Sequence, residues 1–359
     1  MRIPRIEAIT AVPLAVPLRE PFVIASGRVD ATHAVLVRVR VAGTEGLGEA
    51  ACLPGVTTET PATVLDAIAA ARGALVGAEG TVGDLLASGF GDASPVARSG
   101  VECAILDAAA RLRGTSVRAL LAPPGAAIAD ELETDITIPI LGRETMVELA
   151  VGWRRRGFTV FKVKVGLDWE HDVASLVAIH DAVPDARLRV DANGAYSAED
   201  ALRLSRETAR HALRVECFEQ PCARADLDGM ARVTREAGIP VVADESVQSL
   251  ADLDRLIARG AATGVNLKIA KMGGLLDALA IGRRARASGL RLMVGGMVET
   301  RLGMTAAMHV ASALGGCDWC DMDTAFLLAE DPFRGGYEAD GPRLHLSGPG
   351  LGVTTVGDP

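Results

Sequence analysis

The stretch 158–172, FTVFKVKVGLDWEHD, decides how the chain is read. Phe158 to Phe161 are apolar or β-branched, as in a strand that packs inside a domain. That strand then carries Lys162 and Lys164, two positions apart, at its end. A period of two sends both side chains to the same side of a strand. Two ammonium groups on one face of an interior strand call for a partner chemistry, and the rest of the sequence shows where it lies.

The same pattern returns along the chain. A short apolar run ends in polar residues, a helical pattern rich in Ala, Leu and Arg follows, and the next run begins. The runs are TDITIPI (134–140), TVFKVKV (159–165), LRVDAN (188–193), VECFEQP (215–221), PVVADES (240–246), GVNLKIA (264–270), RLMVGGM (291–297) and CDWCDMD (317–323). From Lys164 through Asp191, Glu219, Asp244, Lys268 and Gly295 to Asp321 the steps are 27, 28, 25, 24, 27 and 26 residues. One strand, one helix and two turns take about that length. Eight such units predict a (β/α)8-type barrel, TIM-like and possibly a β7α variant, because the first and last repeats are the least regular. A doubly wound sheet is the structural alternative, and even spacing favours closure.

Residues 1–125 read as a separate α+β capping domain. IEAITAVPLAV, HAVLVRVRVAG and GLGEAACL resemble an antiparallel meander, and helical patterns follow at 60–76 and 95–113, the second opened by Ser94 as N-cap and Pro95 in the first turn. The barrel is expected over 126–322. The segment 323–359, rich in Gly and Pro, is expected to pack back on the cap.

Bulk properties exclude several classes. With 37 basic and 46 acidic residues the net charge is −9, and only 3% of residues are aromatic, a poor composition for binding nucleic acid. Arg2 and Arg5 precede a strand-like run broken by Pro13 and Pro17, unlike a secretory leader. No uncharged apolar stretch is long enough to span a bilayer. We therefore expect a cytoplasmic protein without membrane or nucleic-acid partners. Cys317 and Cys320 form C-x-x-C, with Cys217 and Cys222 about a hundred residues earlier, yet Cys217 and Cys317 fall in strand-like segments. Buried reduced thiols are expected rather than zinc.

In a barrel the C-terminal ends of the strands open on the active-site face. Lys162 and Lys164 then point into the mouth, and the same parity aligns Asp191 with Asn193 and Asp321 with Asp323. Asp191, Glu219 and Asp244, on three consecutive strands, converge as hard oxygen ligands. Without His or Cys beside them they suit Mg2+, or Mn2+, rather than Zn2+. Lys164 on the second strand and Lys268 on the sixth face each other across that point. Two ammonium groups so placed suggest proton transfer on opposite faces of one carbon. A divalent cation would stabilise the charge of an enolate formed α to a carboxylate. Lys162 and the cation would both disfavour protonation of Lys164, leaving it a better base.

KVK, DAN, FEQP, ADES, NLKIAKMGG and DMDT, in this order and spacing, resemble the enolase superfamily in its muconate lactonizing enzyme subgroup. The resemblance covers nearly the whole chain. It implies Lys164 and Lys268 as the acid/base pair, Asp191, Glu219 and Asp244 as metal ligands, and Asn193 and Glu245 as their supports. The racemase and sugar-acid dehydratase subgroups carry a His at the end of strand seven. This chain has LMVGGMVET there, and His309 lies in the following helical pattern. Within the lysine subgroup CDMDT resembles the dipeptide epimerases, in which the Asp-x-Asp pair, here Asp321 and Asp323, binds the substrate's α-ammonium group. Two inward carboxylates beside a metal site need a cation between them, which a free amino terminus supplies. Muconate cycloisomerase, N-acylamino acid racemase and o-succinylbenzoate synthase are the alternatives. A non-catalytic scaffold barrel would lack a lysine or a ligand, and none is missing.

The stretches 19–32 and 50–60 resemble the family's two specificity loops. Ala-Glu epimerases carry a basic residue just after Pro-Phe, where this chain has Val23 and Ile24. The expected substrate is thus an L,L-dipeptide with a neutral or apolar second residue, unless Arg28 or Arg301 turns inward. Lys162, Ile24, Met297 and Glu299 are expected to line the pocket. Barrels of this kind associate, and a homo-oligomer is expected.

Overall fold

The computed structural model describes residues 1–91 and 93–357. Its centre is a parallel sheet of eight strands: Ile136–Ile138, Val160–Lys164, Arg187–Asp191, Val215–Glu219, Val241–Ala243, Gly264–Lys268, Arg291–Gly295 and Trp319–Asp321. Each pairs with the next in chain order. The first and eighth meet at a Thr134–Cys320 bridge, where the Asp135 N–H donates to the Cys320 carbonyl at 3.1 Å. That seam closes the sheet into the expected barrel.

Seven strands are followed by full helices, from Arg143–Arg155 to Arg301–Ala313, and the eighth only by Thr324–Leu327. This irregular last unit is one of the two whose repeats are least regular in the sequence. Four of the helices start with one device. The side chains of Asp168, Ser197, Asp226 and Ser249 accept the backbone N–H three residues on, satisfying a donor that the first turn leaves free.

Register builds the interior in layers. Lys164 lies beside Asp191 and Asp191 beside Glu219, while Lys268 lies beside Gly295 and Gly295 beside Asp321. Two residues lower on the same faces, Cys217, Val242, Met293 and Trp319 form a small apolar cluster of their own. On these four strands the charged row stands on an apolar floor, while on the second, third and sixth strands Lys162, Arg189 and Asn266 occupy that level. A larger continuous core joins the outer faces of the strands, the helices and the cap.

In the cap, Ile6–Leu14, His33–Val41 and Thr44–Cys52 form the expected antiparallel meander. Helix Pro95–Leu112 is buried on nearly every side because it is sandwiched between that sheet and the barrel. Close approach demands glycine. A Cβ on Gly48 would come within 2.1 Å of the Gly100 carbonyl oxygen. Ser94 stands at the predicted N-cap position but is left-handed and makes no side-chain cap. Glu59 does that work instead, accepting the N–H groups of Val96 and Ala97 at 3.0 and 3.4 Å. The stretch read as the loop 19–32 is also more ordered than expected. Pro17–Ile24 and Gly27–Ala31 pair as a hairpin, which reaches the barrel through the Val23 carbonyl, 2.9 Å from the Ile140 N–H. Near the C-terminus, Leu351 N–H donates to Asp107 Oδ1 at 2.6 Å and the Val353 carbonyl accepts from Arg111 at 2.6 Å. Glu131–Glu133 pairs with Arg343–Leu346.

Among the described residues no helix is long and apolar enough to cross a membrane. The six cysteines are free and five are buried. Cys317 lies just before the eighth strand rather than in it and is partly exposed, its sulfur 3.2 Å from that of Cys320.

Candidate active site

The barrel mouth collects the lysines and carboxylates that the sequence put in phase. Lys162, at 1% exposure, reaches three acids at once: Asp321 at 2.6 Å, Glu219 at 2.8 Å and Asp191 at 3.1 Å. Lys164 Nζ lies 2.6 Å from Asp191 Oδ2 and 3.4 Å from Asn193 Oδ1. Across the barrel Lys268 Nζ is 2.7 Å from Asp244 Oδ2. Asn193, held at φ 44°, donates from its backbone to Asp191 Oδ1 at 2.9 Å and from its amide to Glu245 Oε1 at 3.1 Å. A backbone in that sparsely used region is tolerated because Asn can bond locally there.

The electrostatics follow from this packing. Burial alone would raise Asp191, yet Lys164, Lys162 and Lys268 hold its carboxyl down at about 2. Asp244 is likewise held below the usual carboxylate range: burial opposes ionisation, and Lys268 and Lys271 more than offset it. Glu219 moves the other way, raised by burial and by the Asp191 charge. Burial pulls Lys162 and Lys268 down, but Asp321 for the one and Asp244 for the other leave both raised. Burial and the Asp244 charge push Glu245 up to about 7.

Asp191, Glu219 and Asp244 offer only hard oxygens, and no His or Cys contacts them, a donor set that fits Mg2+ or Mn2+. Glu219 Oε2 and Asp244 Oδ2 strengthen the fit. Each is a buried oxygen close to a lysine, but neither contact has hydrogen-bond alignment, so both lack a directed donor. The tightest grouping of carboxylate oxygens is a different one. Those of Asp135, Asp321 and Asp323 lie within 4.8 Å of one another. There Arg189 neutralises Asp135 at 2.8 Å and Lys162 neutralises Asp321. Asp323 has no cation: Oδ2 takes the Thr137 N–H at 2.5 Å, and the buried Oδ1 has no partner. Burial and Asp321 push the Asp323 carboxyl up to about 6.

Ile24 and Met297 are buried, at 4% and 2% exposure. Both proposed basic intruders are occupied elsewhere. Arg28 is exposed and bonds Asp30 at 2.9 Å, and Arg301 donates to the carbonyls of Gly335 and Tyr337 at 3.1 and 3.0 Å. His309 stays in its helix and accepts the Arg118 N–H at 2.9 Å.

Several contributors escaped the sequence reading. Lys271 binds the Asp244 carboxylate at 2.5 Å and its carbonyl at 2.6 Å. It stands three residues after Lys268 in the quoted NLKIAKMGG, and helical spacing was the signal. Gln220, in FEQP, takes the N–H groups of Asp244 and Ser246 on one oxygen at 2.9 and 3.2 Å, fixing the fifth-strand exit. Gly295 leaves the seventh strand without a side chain, since a Cβ there would meet Asp321 Oδ2 at 2.7 Å.

Comparison with known proteins agrees with this architecture. Residues 6–122 match the mandelate racemase / muconate lactonizing enzyme N-terminal domain, and residues 145–358 match the enolase C-terminal domain-like family. The chain belongs to the mandelate racemase / muconate lactonizing enzyme family. It is an isomerase-type enzyme, as expected. An L-Ala-D/L-amino acid epimerase of Populus trichocarpa is 39% identical over 339 residues, 92% of this chain and 79% of that one. An aromatic dipeptide epimerase of Herpetosiphon aurantiacus is 39% identical over 347 residues, 95% and 96% of the two chains. The structure of a dipeptide epimerase from Enterococcus faecalis V583, complexed with Mg and L-Leu-L-Tyr, superposes with a TM-score of 0.91 at 30% identity and covers 98% of this chain and 99% of its own.

Proposed function

We propose that this enzyme is a Mg2+-dependent dipeptide epimerase that inverts the α-carbon of the C-terminal residue of an L,L-dipeptide. The observation that carries the reading is Asp323. A buried carboxylate with one unpartnered oxygen, beside acids already neutralised, needs one more positive charge. The α-ammonium of a dipeptide has the right charge, and three donors to share. A muconate dianion or an acylated amine does not. Relatives named as dipeptide epimerases support the same choice.

Asp191, Glu219 and Asp244 would hold the divalent ion, with Lys271 and Gln220 fixing Asp244 and its strand end. Held there, a divalent ion would supply positive charge where the substrate carboxylate gathers electrons, and would weaken the carboxylates' grip on the lysines. Asp321 and Asp323 anchor the amino terminus. Lys164 and Lys268 approach the α-carbon from opposite sides; the neutral one takes the proton from one face, and the protonated one returns a proton to the other. Lys162 holds Asp321 in place and adds positive charge beside Asp191. With Arg28 and Arg301 occupied, Ile24, Met297 and Phe22, whose ring centroid is 5.8 Å from Lys164 Nζ, favour a neutral or apolar second residue.

The test is incubation with Mg2+ in D2O and L,L-dipeptides of varied second residue. Single deuterium uptake at the α-carbon is expected, with formation of the deuterated L,D epimer abolished by Lys164→Ala or Lys268→Ala. No uptake in any dipeptide refutes the reading and turns attention to muconate and N-acylated amino acids.

A further inference from the structure

Two buried carboxyl groups take no part in that chemistry, and they meet between the domains. Glu49 belongs to the cap strand Thr44–Cys52. Its Oε1 accepts the Thr300 N–H at 3.0 Å, and its Oε2 accepts the Thr300 hydroxyl at 2.5 Å and the Gly303 N–H at 3.0 Å. It thereby satisfies the start of barrel helix Arg301–Ala313 from outside the barrel. Glu299 comes from the loop just ahead of that helix. Its Oε1 accepts the Met297 N–H at 2.9 Å, and its backbone exchanges two hydrogen bonds with the Thr324 hydroxyl. The loop 296–300, which carries the buried Met297, is therefore held by one carboxyl from each domain.

We infer that Glu49 is a positioning residue: it ties the cap to the seventh-strand loop and so sets the Met297 wall against which the substrate's side chain packs. This rests on the epimerase reading for the substrate, but the contacts stand without it. Neither acid bonds a basic side chain. Glu49 is faced by Glu299 across the domain boundary and by Cys103 of helix Pro95–Leu112, while Lys268 of the sixth strand faces Glu299. Two like charges so close do not both ionise cheaply, and the pair keeps a proton near neutrality. Burial first, then the Glu299 charge, push Glu49 up to about 8, and burial pushes Glu299 up to about 7. Loss of that proton above pH 8 sets the two domains' carboxylates against each other and loosens the wall.

The experiment uses the full chain with Mg2+ and compares the wild type with Glu49→Ala and the near-isosteric Glu49→Gln. Amide hydrogen exchange across 296–303 is read by mass spectrometry, with the barrel peptides around 160–164 and 264–268 as controls. Exchange in 296–303 should be about tenfold or more faster in Glu49→Ala, with the controls unchanged, because the Thr300 and Gly303 amides lose their acceptor. If Glu49→Ala loses protection everywhere, Glu49→Gln serves in its place, since its amide oxygen keeps at least one donor. In kinetics KM should rise about tenfold while kcat stays within about twofold, and the wild-type rise in KM above pH 8 should flatten in Glu49→Gln. Unchanged exchange in 296–303, or a fall in kcat at constant KM, overturns the proposal. A wild type that takes no deuterium into any dipeptide sinks the epimerase reading alone; the amide exchange still decides the role of Glu49.

Discussion

Replacing Asp323 with Asn isolates the charge we propose selects the substrate. Asp323 is fully buried, and its Oδ2 holds the first-strand Thr137 N–H, a bond the Asn amide oxygen keeps. What disappears is the negative charge on the unpartnered Oδ1. A hydrogen bond to a charged group contributes about 1.5–3 kcal/mol, so kcat/KM for a free-amine dipeptide should fall by about ten- to a hundred-fold. The assay compares that dipeptide with its N-acetyl counterpart, following α-deuterium exchange in both enzymes. The wild type should favour the free amine strongly, and Asp323→Asn should lose most of that preference. The pH profile gives a second reading. Because burial raises Asp323 to about 6, its carboxylate is present above that pH and lost below it. Wild-type kcat/KM should decline as pH falls through 6, and the Asn enzyme should stay level there. Equal losses for the free-amine and acetylated substrates would refute the assignment of Asp323 to the ammonium group.

Lys164→Met and Lys268→Met should each abolish epimerisation while one of them retains deuterium exchange from the L,L and the other from the L,D epimer; exchange from both epimers in either variant contradicts a two-sided transfer. Each deletion should cost at least the 10²–10⁴-fold usual for a positioned acid or base, read as turnover of the full reaction. Stripping divalent ions with a chelator should abolish exchange and lower the melting temperature. Saturating Mg2+ at about a hundred times its Kd should add about 2.7 kcal/mol of stability, and an identical melt with and without the ion would rule out Asp191, Glu219 and Asp244 as a metal site. Gly295→Ala should raise KM and cost about 1–3 kcal/mol in chemical denaturation, because its methyl would enter the space of Asp321; a neutral outcome would show that Asp321 can move freely.

The barrel and its charged row were readable because both obey short periods. A repeat of 24 to 28 residues returned every strand end, and parity then told which side chains faced the mouth. Lys164, Asp191 and Glu219 indeed stand in register on adjacent strands. What stayed hidden depends on residues far apart in the chain. Glu59 capping the helix that begins after Ser94, and Glu49 reaching Thr300, follow no local pattern. The stretch 19–32 reads as a loop by its resemblance to a specificity loop; the structure pairs it as the hairpin 17–31 instead. Arg28 and Arg301 show the limit most plainly. A sequence places a guanidinium near a pocket, but only the structure shows that each already has its partners.

The hairpin has a consequence for how such an enzyme can change. Phe22 and Ile24 pack their side chains into the core, but the hairpin's backbone bonds to the rest of the fold are few: Val23 with Ile140 of the barrel, and Leu18 with Leu328 and Pro17 with Ala329 of the C-terminal segment. None of these depends on side-chain identity, and none involves a residue of the acid row. On the proposed reading of the hairpin as a specificity element, selectivity can therefore drift in a strip of some fifteen residues while the machinery beneath is inherited intact. A lineage carrying this chain could explore new peptides by altering Val23, Ile24 or Arg28 one at a time, without first passing through an unfolded or inert ancestor.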